Sequence, residues 1–187
     1  PIGDRVHTPI PSCWVNQIIC NVLQNESLRV LELKENHLDE KAGEVIGELI
    51  KSHPSLTQLD LSSNRIEGRG GQTIARALRT NTTLTDLNLS WCQLDPMPFL
   101  SALSTSLRHH SSSGLSSLVL VGINLGGGSG AFPHIRDILT HCTSLHSLDL
   151  SNNYFRDEEG EEIFSSFDSR KGGNSLRRFS ILSNTRY

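Results

Sequence analysis

The sequence is poor in aromatic side chains, 5% of 187 residues, holds a single methionine, and is only 36% hydrophobic. A core built from it must be aliphatic, above all leucine, and an elongated fold with much surface per residue is favoured over a compact globule. An excess of one charge is also lacking: the net value is −3, and Arg65, Arg69, Arg76 and Arg79 read as a solvated helix face. That removes the electrostatic case for nucleic acid or an anionic membrane surface. No apolar run approaches the ~20 residues that a membrane-spanning helix needs. The four cysteines, Cys13, Cys20, Cys92 and Cys142, form neither a CxxC nor a paired framework, which fits a reducing, intracellular, cytoplasmic setting. There is no initiating Met, and PIGDRVHTPIP has no signal-peptide core, so a fragment of a longer protein is expected.

What the chain does have is one stretch repeated. LRVLELKENHL from Leu28 returns as LTQLDLSSNRI from Leu56 and LTDLNLSWCQL from Leu84. Looser copies follow as LSSLVLVGINL from Leu115, LHSLDLSNNYF from Leu145 and LRRFSILSN from Leu176. Each copy begins about 30 residues after the last, the length of one supersecondary unit in a repeat protein. Within each copy the period of two predicts a short strand whose leucines face one way and whose intervening residues face the other. Between copies, Val45, Ile46, Leu49 and Ile50 recur at helical spacing, and so do Ile74, Ala75, Ala77 and Leu78. Ile163, Phe164 and Phe167 are expected on the inner face of the corresponding fifth helix. Ser12 is placed to cap a first helix whose apolar residues, Trp14, Val15, Ile18, Ile19, Val22 and Leu23, cover the first strand. Strands about 4.8 Å apart backed by wider helices cannot stay straight. The expected fold is α/β: a right-handed, curved solenoid of about six repeats, with a concave parallel sheet and convex helices. One domain over 12–187 is expected. Residues 1–11 form a lead segment in which Ile2–Asp4 resembles the end of an earlier repeat.

The pattern L-x-x-L-x-L-x-x-[NC]-x-L followed by a helix, at this repeat length, resembles the ribonuclease-inhibitor-like class of leucine-rich-repeat proteins. That class includes intracellular immune-receptor repeat domains, tropomodulin-like and actin-regulatory scaffolds, and Ran GTPase-activating proteins. The resemblance implies a surface for binding proteins.

Asn36, Asn64, Asn153 and Asn184 occupy the ninth position of the repeat, where a buried amide can serve the turn leaving the strand and form a structural ladder. Cys92 holds this place in the third copy. Ile123 holds it in the fourth and cannot hydrogen-bond through its side chain, so that turn should be irregular, and the GGGSG after it reads as a flexible insertion. No Lys-[ST] follows those glycines, which argues against a phosphate loop. His134, His141, His146 and Cys142 do not converge on one point of the repeat, so no metal is expected. Glu158, Glu159, Glu161 and Glu162 open a helix, where the dipole accounts for them. No nucleophile or metalloprotease motif occurs, so neither catalysis nor a cofactor is expected. Ser180, in RRFS, falls within a strand. The sequons at Asn25, Asn81 and Asn88 read as chance or structural.

The residues between the core leucines remain, and they are not expected to be needed for folding. Glu32, Asp60, Asn88, Val119 and Asp149 face out, flanked by Asp86 on one side and by Lys34, Ser62 and Val121 on the other. Trp91 and Asn152 stand at the edge. The stripe is weakly acidic and suits a protein partner with a basic contact region. A stable interface needs on the order of 800 Å² per partner, so loops at the C-terminal edge must join the sheet. Trp91 either anchors that interface or packs on the turn beside Asn64 or Gly122. The expected function is a non-catalytic protein-interaction module within a larger protein or complex. The first alternative is a Ran-type GTPase activator acting through Asn64 and Arg65. The second is an architectural subunit of a cytoskeletal or flagellar assembly that uses its convex arginines.

Overall fold

The computed structural model describes residues 12–108, 114–168 and 176–184, so the lead segment at 1–11 lies outside the described residues. Helices and strands alternate: α1 (Ser12–Gln24), β1 (Val30–Glu32), α2 (Glu40–Ser52), β2 (Gln58–Asp60), α3 (Gly68–Ala77), β3 (Asp86–Asn88), α4 (Pro96–Arg108), β4 (Ser117–Val119), α5 (Phe132–His141), β5 (Ser147–Asp149), α6 (Asp157–Asp168) and β6 (Arg178–Ser180). The strands form one parallel sheet in chain order. Its register stacks Leu31, Leu59, Leu87, Leu118, Leu148 and Phe179 on one another. A second row, Leu33, Leu61, Leu89, Leu120 and Leu150, lies two residues further on and is buried. Full burial of each such side chain contributes about 1.5–3 kcal/mol.

The helices close the other side of the sheet. In α2 the Asp39 carboxylate caps the start by accepting the Ala42 N–H at 2.9 Å, and Ala42, Ile46, Leu49 and Ile50 face inward. α2 and α3 approach closely because both carry glycine at the seam: a methyl group on Gly43 would lie 2.8 Å from Gly70 Cα. α4 has no glycine to match, and a groove remains between α3 and α4. α1 joins the core through Ile19 with Val22 partly buried, while Trp14 and Leu23 stay exposed.

Trp14 and Leu23 do not cover the first strand as expected, and two further expectations fail here. Phe164 does not join Ile163 and Phe167 on the inner face. It is 57% exposed, in a groove between α6 and the turn after β6, because on α6 the inward stripe is carried by Ile163 and Ser166, with Phe167 packed edge-on against Phe179 at 4.9 Å. The fourth turn is also regular. Gly122 and Asn124 take φ of 67° and 61°, matching Glu35 and His37 (58° and 54°) and Asn152 and Tyr154 (57° and 58°). Ile123 needs no polar side chain of its own there. Its N–H is accepted by Asn153 Oδ1 of the next repeat at 3.0 Å.

Candidate functional site

Each strand leaves the sheet through a residue with positive φ: Glu35, Ser63, Trp91, Gly122, Asn152 and Ser183, between 53° and 67°. That bend carries the chain from sheet to helix and places these residues along the C-terminal rim. It is held from beneath. Asn64 is 2% exposed. Its Oδ1 accepts the N–H groups of Asn36 and Leu38, both at 3.0 Å, and its Nδ2 donates to Leu33 O at 2.9 Å and Leu61 O at 2.7 Å. Asn153 does the same for Ile123 and Leu125, donating to Leu120 O and Leu150 O. Asn184 accepts the Asn153 N–H at 2.6 Å, and Asn36 donates to Lys34 O. Cys92 Sγ donates to Leu61 O at 3.2 Å. Burial pushes its thiol up to about 12, opposed by the Asn64 backbone N–H and reinforced by Asp60. A thiol held protonated in this way is no nucleophile at neutral pH.

The concave face is polar, but part of it is committed to the fold, against expectation. Asp60 Oδ1 accepts both the N–H and the hydroxyl of Ser62, at 2.9 and 2.6 Å. Asn88 holds Ser90 identically, and Asp149 holds the Ser151 N–H at 2.9 Å. Ser62 therefore does not present a free hydroxyl. Each clasp satisfies a backbone donor, just past the strand, that makes no bond to the neighbouring repeat. Asp86 Oδ2 accepts the Thr85 hydroxyl at 2.7 Å. Glu32, Lys34 and Val30 are exposed, whereas Val119, Val121 and Asn152 are half-buried. Glu32, Asp60, Asp86 and Asn88, with Val30 and Val119, bound a shallow concavity of about 220 Å³.

Trp91 stands at the rim, 52% exposed. One face of its indole lies on Gly122, so the residue both packs on a neighbouring turn and shows its other face to solvent. Asn64 is buried and its amide is committed to the turn, so the pairing of Asn64 with exposed Arg65 as catalytic groups fails on geometry.

Several structural residues escaped the sequence reading. His53 Nδ1 accepts the Leu56 N–H at 3.1 Å while Nε2 lies 3.2 Å from Val22 O. Asn81 Oδ1 accepts the Leu84 N–H at 2.7 Å and its Nδ2 donates to Ile50 O at 2.6 Å. These place matching bonds just before the leading leucines of the second and third repeats, and only the matching places of His53 and Asn81 ahead of Leu56 and Leu84 mark them. The glycine-rich stretch is no loose insertion either: Glu159 accepts the N–H groups of Gly127 and Gly128 at 3.2 and 3.1 Å, and that of Arg156 at 2.8 Å. His134, His141 and His146 bond separately to Ser104, Asp137 and Ser144. Among the described residues no group of three or more His, Cys, Asp or Glu side chains is placed to hold a metal ion. Among them, too, no helix is long and apolar enough to cross a membrane.

The family model described as Leucine Rich repeat matches residues 52–75, 80–96 and 141–163. No curated protein matches the chain. Among solved structures, the leiomodin-1 actin-binding site 2 is similar with a TM-score of 0.64 at 14% identity, covering 86% of this chain and 90% of that one. The Caenorhabditis elegans tropomodulin C-terminal domain is similar with a TM-score of 0.58 at 12% identity, covering 82% and 91%. Repeats of near-constant length, each giving one in-register strand and one helix, together with these matches, show that the fold is a leucine-rich-repeat solenoid.

Proposed function

We propose that the chain is a non-catalytic protein-binding module that takes its partner on the concave sheet and over the C-terminal rim, with Trp91 as the main anchor. The observation that supports this most is the half-exposed indole fixed on Gly122. A large amphipathic ring that is already immobilised loses little entropy on binding, which is why tryptophan is enriched at interface hot spots. Beside it, Glu32, Asp60, Asp86 and Asp149 offer carboxylates to a partner with a basic contact region. They steer encounter more than they add affinity.

Actin is the first partner to test, because one solved structure sharing this fold is an actin-binding site of leiomodin-1. Such a role would make the chain an intracellular, cytoskeleton-associated protein. The test is co-sedimentation with actin filaments, and fluorescence titration of monomeric actin, by wild type and by a Trp91→Ala/Asp60→Asn variant. Binding that falls at least about tenfold in the variant supports the reading. Absence of binding by wild type removes actin as the partner. Unchanged binding by the variant removes the concave rim as the surface.

A further inference from the structure

We infer that the groove between α3 and α4, on the convex side, is a second docking site, and that it takes an acidic peptide segment of a partner protein. The groove has a volume of about 380 Å³. α4 brings to this seam no glycine of its own like the pair that closes α2 on α3. Gln72, Arg76 and Arg79 line one wall and Pro98, Ser101 and Thr105 the other. Each set extends over about two helical turns, about 10 Å at helical rise.

Its charge is of one sign. Neither α3 nor α4 contains Asp or Glu, so the walls supply nothing to neutralise the two guanidinium groups. Both arginines are exposed, and among the described residues neither is paired with a carboxylate. Arg76 Nη2 donates to Gln72 Oε1 at 3.1 Å, which steadies it along α3. Arg108, further along α4, is by contrast paired with Asp137 at 3.0 Å.

A second observation points to a ligand. Ser106 lines the same groove and is 2% exposed, yet its hydroxyl has no hydrogen-bond partner among the described residues. A buried hydroxyl without a partner is unfavourable, and a ligand oxygen reaching the base of the groove removes that cost. The dimensions favour a peptide. One small ion fills a fraction of the space, whereas two carboxylates one helical turn apart meet both arginines. A nucleic-acid strand would gain only two phosphate contacts here, too few for useful affinity.

This site is independent of the concave rim, and the experiment keeps the two apart. The probe is a short fluorescein-labelled, alanine-based helical peptide with glutamates one turn apart, compared with its glutamine counterpart, titrated with the full chain at low salt and read by anisotropy. The glutamate peptide is expected to bind. An Arg76→Ala/Arg79→Ala variant weakens it at least about tenfold and Ser106→Ala about threefold, with Tm unchanged in the arginine variant, and Trp91→Ala has no effect. Equal binding of the glutamine peptide, undiminished binding by the arginine variant, or loss of binding in Trp91→Ala would each overturn the proposal. So would sedimentation showing that the arginine variant abolishes self-association, since the occupant would then be a second copy.

Discussion

The indole of Trp91 covers Gly122: a methyl group built on Gly122 would overlap the ring, lying 2.7 Å from its Cδ2. Both residues hold positive φ, 58° and 67°, at equivalent places in neighbouring repeats. The bend that directs Trp91 outward therefore recurs one repeat later with no side chain, which leaves room for the ring to lie flat.

Gly122→Ala should disturb both features at once. The left-handed backbone penalises any Cβ, and the methyl must displace the indole, so a loss of about 1–2 kcal/mol is expected. In a Trp14→Phe background, which leaves Trp91 as the single indole, the emission maximum should move as the ring lifts away. An unchanged Tm together with an unchanged spectrum would show that the ring does not depend on Gly122.

Cys92 makes a prediction about pH. Its folded pKa is raised from 9.0 to about 12, chiefly by burial. Between those values the unfolded chain has lost the proton that the folded chain keeps, so this group's contribution to stability falls as pH rises. It is fully present below pH 9 and declines by up to about 1.4 kcal/mol per pH unit above it. Other groups titrate in the same range, so the quantity to measure is the difference in denaturation midpoint between wild type and Cys92→Ala from pH 8 to 11. At pH 8 Cys92 should also resist iodoacetamide while exposed Cys20 reacts. A midpoint difference that does not change with pH would refute the account.

How much could be read in advance differs between scaffold and surface. The leucine rows were legible because the period of two within a strand and the near-constant length of the repeat are both set by the backbone. The asparagine positions were legible because one amide can both accept from and donate to neighbouring turns. What the pattern hid was bonding between repeats through ordinary-looking residues. Ile123 reads as a defect until Asn153 is seen to serve its N–H from the next repeat. The glycines at 127 and 128 read as slack until Glu159, in the next repeat, is seen to hold them. Asp60 and Asn88 read as spare surface because polar residues alternating with core leucines give the pattern of a solvent face whether or not they also hold the backbone two residues on. The exposure of Phe164 was missed because three apolar residues within five cover more of a helix than its single buried stripe.

Glu159 can be tested directly. Glu159→Ala removes three charge-assisted contacts, to Gly127, Gly128 and Arg156, so a loss of about 1.5–3 kcal/mol is expected. Amide exchange at Gly127 and Gly128 should accelerate by at least about tenfold, with the amides of β2 and β3 little changed. Uniform acceleration across all repeats would mean that the carboxylate supports global stability and not this loop.

The last prediction separates folding from recognition at a residue that serves both. Asp60 holds Ser62 through one oxygen, at 2.9 Å to the N–H and 2.6 Å to the hydroxyl. Asn88 makes the same clasp on Ser90 at 3.0 and 2.7 Å without any charge. An asparagine at 60 should therefore keep the turn, and Asp60→Asn is expected to change stability by less than about 0.5 kcal/mol. Asp60→Ala leaves the Ser62 N–H without its acceptor and should cost about 1–2 kcal/mol. If the concave carboxylates meet a basic partner, Asp60→Asn should slow association at low salt and lose that effect as salt screens the charge. Stopped-flow association at two ionic strengths, beside thermal melts of both variants, gives all the numbers. A stable Asp60→Asn variant that binds at the wild-type rate would confine Asp60 to its turn.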